Sequence, residues 1–145
     1  MKHMRLLVTL FFAAMLLSGC TRNNPGPLTA PADPAALPNI TGDYAVNGSD
    51  PTGAEYGGTL HIEEDGTGTY QLYWVITGSL QSGSGSIEGN QLLVSWQTYG
   101  SATGEIRGTA IYTITQTGQL DGIRLIEGNP TQGVEVAYPN QPPTE

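Results

Sequence analysis

Thr69-Tyr70-Gln71-Leu72-Tyr73-Trp74-Val75-Ile76-Thr77 decides how the rest of this 145-residue chain is read. Tyr70, Leu72, Trp74 and Ile76 fall on one face, and Gln71, Tyr73, Val75 and Thr77 on the other. That period of two belongs to a half-buried strand. The alternation recurs at Leu92, Val94 and Trp96 and at Ala110, Tyr112 and Ile114. Shorter versions run through Leu60 and Ile62, Ile123 and Leu125, and Val134, Val136 and Tyr138. Turn signals separate the runs: Asp65-Gly66, Gly78-Ser79, Gly89-Asn90, Gly100-Ser101, Thr117-Gly118 and Gly128-Asn129-Pro130. No window beyond the N-terminus shows a helical period.

About eight strands are expected, near 41–47, 56–64, 68–77, 83–88, 91–98, 105–115, 119–127 and 132–138. Short connections pair consecutive strands as antiparallel hairpins. A meander of that length exposes two long edges unless it closes. The expected fold is therefore all-β: an antiparallel up-and-down meander closed into a small barrel of lipocalin- or avidin-like architecture. A two-sheet sandwich is the alternative. Gly83, Gly85 and Gly89 within one expected strand suit a bulge, a barrel corner or the close approach of an aromatic ring. Gly57-Gly58-Thr59-Leu60 and Gly108-Thr109-Ala110-Ile111 open similar strands.

The ends read differently. Lys2 and Arg5 precede Leu6 to Leu17, a run of 12 residues too short to span a bilayer and suited to the core of a signal peptide. Leu17-Ser18-Gly19-Cys20 follows and resembles the lipobox of bacterial lipoproteins. The resemblance implies cleavage before Cys20, a diacylglyceryl group on its sulfur and acylation of the new amino terminus. Two or three long acyl chains hold a protein at a membrane essentially permanently, whereas one myristoyl-length chain does so marginally. Residues 1–19 are thus expected to be a signal peptide. Residues 20–39, with Pro25, Pro27, Pro31, Pro34 and Pro38, are expected to be a lipidated cysteine and a semi-rigid tether outside any core, reaching up to about 60 Å. Residues 40–138 would form the β domain and 139–145 a flexible tail. The expected location is lipid-anchored and extracytoplasmic, at the cell membrane or outer membrane. Thr21 in place of an aspartate permits outer-membrane sorting by analogy with enterobacterial lipoproteins.

After that cleavage Arg22, Arg107 and Arg124 face 13 acidic side chains, a net charge of −10. Nucleic acid is excluded as a partner, because no basic patch exists to neutralise phosphates. With Cys20 lipidated no thiol is left for a disulfide or a nucleophile. His61 is the sole histidine beyond the signal segment and cannot build a zinc site alone. Glu63-Glu64-Asp65-Gly66 lacks the oxygen spacing of a calcium loop and reads as a charged hairpin tip. No G-x-S-x-G occurs, and no acid is seen to interrupt an apolar face as a desolvated general acid would. No catalytic residue, metal or cofactor is expected. The chain reads as a non-enzymatic, monomeric binding or envelope protein.

Residues 42–122 resemble a set of small β domains in secreted bacterial proteins and lipoproteins, some with a loose fibronectin-binding label. The resemblance rests on Gly42-Asp43-Tyr44, on Asp50-Pro51-Thr52-Gly53-Ala54-Glu55-Tyr56-Gly57-Gly58-Thr59-Leu60-His61-Ile62, and on Tyr70-Gln71-Leu72-Tyr73-Trp74. Gly83 to Val94 and Tyr112 to Gly122 complete it, with Ser86 before Ile87 departing from the pattern by one residue. These are turn glycines and core aromatics, so the resemblance implies fold more than function. Gly42-Asp43-Tyr44 also resembles the G-x-W of lipocalins, which implies that Arg124 packs over an aromatic ring at the barrel end. Two binding roles follow as alternatives. One is a carrier of a small apolar ligand, with Tyr70, Trp74, Trp96 and Tyr112 as the inward-facing candidates, although in about 100 residues those rings are expected to fill the interior. The other is a binder or inhibitor of cationic extracellular proteins, such as lysozyme or matrix proteins.

Overall fold

A strand leaves no open edge only if it has a partner on each side, and here the first and last strands supply each other. The computed structural model describes residues 26–100 and 104–140. Its strands are β1 (Gly42–Ser49), β2 (Glu55–Glu64), β3 (Thr69–Ile76), β4 (Ser79–Glu88), β5 (Gln91–Tyr99), β6 (Arg107–Ile114), β7 (Leu120–Ile126) and β8 (Gln132–Pro139). Each pairs antiparallel with the next. β1 also pairs with β8, Tyr44 opposite Pro139 and Ser49 opposite Val134, which closes an eight-stranded barrel. The closure removes the sandwich alternative.

The inward faces expected for β3, β5 and β6 are those observed. Leu72 and Trp74, Leu92, Val94 and Trp96, and Ala110, Tyr112 and Ile114 are all buried. Full burial of each large side chain contributes about 1.5–3 kcal/mol relative to exposure. β4 starts earlier than expected, at Ser79, because Leu80 points outward and Gln81 inward, the reverse of what polarity suggests. β7 and β8 are inverted along their whole length. Leu120, Gly122 and Arg124 face the core of β7, with Ile123 and Leu125 outside. Gly133, Glu135 and Ala137 face the core of β8, with Val134 outside. The apolar alternation of these two strands marks the solvent face, because their inner face carries a charge pair. Scattered surface valines and isoleucines are ordinary in folded proteins.

The inner wall is stripped of side chains where the large rings lie. A Cβ at Gly108 would meet Trp96 Cζ2 at 2.6 Å, and one at Gly122 would strike the Tyr112 ring and the Ile111 carbonyl. Gly83 follows the same logic beneath Trp74. Gly89, which the sequence groups with it, serves the β4–β5 turn instead with φ +62°.

The domain begins well before residue 40. Residues 27–39, expected as part of a tether outside the core, lie with Ile40 across one end of the barrel and seal it. Pro31 bridges to Thr115, Ala32 N–H donates to the Ile114 carbonyl at 2.9 Å, and Gln116 N–H donates to that of Ala30 at 2.9 Å. Asn90 Nδ2 donates to the Ala32 carbonyl at 3.0 Å, and Gln119 Nε2 to that of Pro27 at 3.1 Å. Ala32 and Ile40 are buried, and Tyr44 donates its hydroxyl to the Ile40 carbonyl at 2.8 Å. Proline density does not exclude docking, since alternate residues can still bond to an edge or turn. Cys20, the signal segment and residues 141–145 lie outside the described residues.

Gly122→Val is expected to lower the free energy of unfolding by about 1–3 kcal/mol through overpacking against Tyr112. A urea titration checks this; an unchanged midpoint would mean that the wall yields freely at this point.

Candidate functional site

Glu135 is 0% exposed and Arg124 is 7%, and Arg124 Nη1 donates to Glu135 Oε2 at 2.7 Å. Ions so placed lose several kcal/mol of hydration each, and persist only where hydrogen bonds fill what the pair leaves open. They do so here. Tyr56 donates its hydroxyl to Glu135 Oε2 at 2.7 Å. Tyr112 and Trp74 Nε1 donate to Oε1 at 2.6 and 3.0 Å. With Arg124 that makes four donors on a carboxylate with about four lone-pair positions. Arg124 Nη2 donates to Gln81 Oε1. The guanidinium lies over two indoles, 4.3 Å from the Trp96 ring centre and 5.0 Å from that of Trp74.

The titration behaviour follows from that geometry. Burial, the largest single effect, pulls Arg124 down, but the Glu135 carboxylate together with the Tyr112 and Tyr56 phenols outweighs it and the net shift is upward. Tyr112 and Tyr56 are pushed well above the ordinary phenol range, first by burial and then by the negative charge of Glu135. Both phenols therefore stay protonated donors at any physiological pH. Because Glu135 already accepts from four donors, it offers no free lone pair to a substrate proton.

The seam of charge crosses the middle of the barrel and divides it. Toward the sealed end the core is apolar. Toward the other end, ringed by the β1–β2, β3–β4, β5–β6 and β7–β8 connections, a pocket of about 290 Å³ remains. Its floor is Arg124, Gln81, Trp96 and Tyr56; Ile76, Ile106 and Ile126 form much of its mostly apolar wall. Trp96, which lines it, has its Nε1 buried without a hydrogen-bond partner among the described residues, a state that costs about 1–3 kcal/mol. A larger concavity of about 800 Å³ runs along the outer wall over Ser82, Ser84 and Ser95, open to solvent on a bed of short side chains.

The four rings expected to bind a ligand are dispersed. Trp96 lines the mouth pocket. Trp74 and Tyr112 lie beneath it in the charge network, and Tyr70 sits half-buried at the opposite end of β3. Arg124 does pack over aromatic rings, but they are Trp74 and Trp96 inside the barrel, while Tyr44 bonds to Ile40. Glu135 corrects the expectation that no acid interrupts an apolar face. Its signal was available: Gly133 and Ala137, at i±2, are small residues sharing a face with a charge, as Gly122 does with Arg124. Tyr56 and Gln81 gave no comparable sign.

His61 lies on the outer wall opposite Asp43. Its Nδ1 is 2.6 Å from Asp43 Oδ1 and its Nε2 is 3.2 Å from Glu63 Oε1; these hydrogen bonds, that to Asp43 foremost, raise its pKa. Asp65 accepts from the Thr67 N–H and hydroxyl within its hairpin tip. Among the described residues no three His, Cys, Asp or Glu side chains are grouped to hold a metal ion.

Glu135→Gln should cost about 3–5 kcal/mol, because it strands the Arg124 charge in the interior. Equilibrium unfolding measures this, and a loss below 1 kcal/mol would show that water reaches the pair.

Comparison with family models finds no match, and no curated protein matches the chain. Among solved structures, that of EF1p2_mFAP2b bound to DFHBI superposes with a TM-score of 0.53 at 15% identity, covering 70% of this chain and 94% of that one. At that identity the likeness concerns architecture alone, and it matches the closed all-β barrel described above.

Proposed function

We propose that this protein is a non-catalytic, lipid-anchored carrier that holds a small, mainly apolar molecule in the open mouth of its barrel. One observation carries the reading: a concave, mostly apolar pocket of about 290 Å³ stands over a few convergent polar groups in an otherwise packed interior. That is the composition of small-molecule sites, at the small end of their size range. The rings fill the middle of the barrel, as expected from its size, but stop short of the mouth. The barrel of similar architecture, EF1p2_mFAP2b, is bound to DFHBI, which supports ligand capture by this kind of fold.

The anchor follows from the resemblance of Leu17-Ser18-Gly19-Cys20 to a lipobox, and the sealed end gives it a geometric consequence. Docking begins at Pro27, so Cys20 lies only seven residue steps, with six residues between, from the barrel. Even fully extended they reach about 25 Å, far less than a tether running to residue 39 would allow. The sealed end then faces the bilayer, and the mouth opens away from it.

Two measurements test this reading. Naphthalene-sized aromatic probes should change Trp96 fluorescence saturably, and Ala54→Trp, which fills the mouth, should abolish the response. Absence of a saturable response with every probe would overturn the carrier. Cys20→Ala should abolish incorporation of labelled palmitate and release the protein from membranes; equal labelling of both forms would refute the anchor.

A further inference from the structure

Resting on the pocket reading above, we propose that the mouth selects an uncharged, flat aromatic molecule with one strong hydrogen-bond acceptor, which enters acceptor end first. The depth of the pocket limits the ligand, because Arg124, Glu135, Trp74 and Tyr112 block the barrel below it. A long hydrocarbon tail cannot thread past that layer, and an apolar tip pressed against it would desolvate polar groups without pairing them.

The floor asks for an acceptor. Trp96 Nε1 is a buried donor with no partner among the described residues. Glu135, the one acid at this level, is saturated by four donors and has nothing to offer a ligand N–H. Trp96 lies across Gly108, whose partner on the far side is Ile126, half-buried at the mouth. Binding as proposed requires Ile126 to give way, so that the acceptor reaches the indole N–H.

Charge is selected against in both signs. Arg124 is the sole cation among the described residues lining the pocket, and Glu135 neutralises it at 2.7 Å. Asp50 and Glu55 stand in the wall above, so a carboxylate passes two negative groups to reach a floor with no net charge to receive it. A cation meets the same floor, where the Glu135 carboxylate is already taken by four donors and offers it no countercharge. The body of the ligand lies among Ile76, Ile106 and Ile126, where a flat ring fits better than a branched chain.

Calorimetric titration of the intact protein with four probes of one shape decides the matter: 2-acetonaphthone, naphthalene, 2-naphthoate and 2-naphthylmethylammonium. The ketone should bind about tenfold more tightly than each of the others, the margin of one added hydrogen bond. Its binding should shift the indole Nε1–H resonance of Trp96 downfield, while naphthalene should leave it in place. Trp96→Phe keeps a ring and removes the donor, so it should bring the ketone down to the affinity of naphthalene. Equal binding of all four, blocked by Ala54→Trp, would overturn the selectivity and leave the carrier standing. Tightest binding of the carboxylate or the ammonium would overturn it in favour of a charged ligand. Failure of all four would remove the carrier and this inference together.

Discussion

Glu135 and Arg124 form the one interaction that touches every part of this barrel. Seen along the axis, seven strands each send one side chain to it: Tyr56 from β2, Trp74 from β3, Gln81 from β4, Trp96 from β5, Tyr112 from β6, Arg124 from β7 and Glu135 from β8. β1 contributes by withdrawal, since a Cβ at Gly48 would run into the Tyr56 ring. A buried ion pair is weak evidence of net stability, because a well-packed apolar pair of the same volume often serves as well. What this pair supplies is uniqueness. Two carboxylate oxygens and a planar guanidinium can be satisfied by these donors and acceptors only if all eight strands keep their register. A slip of one residue in any strand turns its contributor outward and strands a polar group.

The same pair explains what could be read from the chain and what could not. Alternation located eight strands, and their turns, to within a few residues, because Leu72 and Trp74, or Leu92, Val94 and Trp96, carry the burial signal directly. In β7 and β8 the signal had the opposite sense. Ile123, Leu125, Val134 and Val136 outvote Arg124 and Glu135 in any count of apolar residues, yet the charges are inside. Hydrophobic periodicity assumes that the core is apolar, so it fails where a paired charge is the core. Small residues were the better guide on those strands: Gly122 marks the inner face because the Tyr112 ring lies over it, and Gly133 because the backbone at Ser49 and Asp50 does. The sealing segment was illegible for another reason. Its prolines forbid regular secondary structure, and composition alone cannot tell a docked irregular strand from a free tether. Specific partners hold it to the barrel end: the side chains of Asn90 and Gln119, and the backbone of Ile114 and Gln116.

The two ends of the barrel are therefore unequal by construction. At one, Ile40 and Ala32 cover the apolar core and the last backbone groups find partners in residues 27–40. At the other, the loops stand around an opening whose floor is polar but already satisfied, apart from one indole N–H. A polar floor that is fully paired does not attract water strongly, and walls of isoleucine do not either. Such a pocket is inexpensive to empty of water, which is consistent with the proposed neutral guest.

The position of the charged layer, set at mid-barrel and away from the rim, also separates the groups that hold the strands from those that line the mouth pocket. Side chains above it, such as Ile76, Ile106, Thr98 and Ala54, touch the pocket without entering the network, so they can vary in size without loosening the strands. Side chains within it cannot, because each completes the coordination of Glu135 or Arg124. Trp96 belongs to both groups: its face holds Arg124 while its N–H is left over. If the edge also serves recognition, as proposed, an occupied mouth is coupled to the stiffness of the barrel below. That coupling needs no moving domain, since an acceptor at the indole edge fixes the ring against which the guanidinium is stacked.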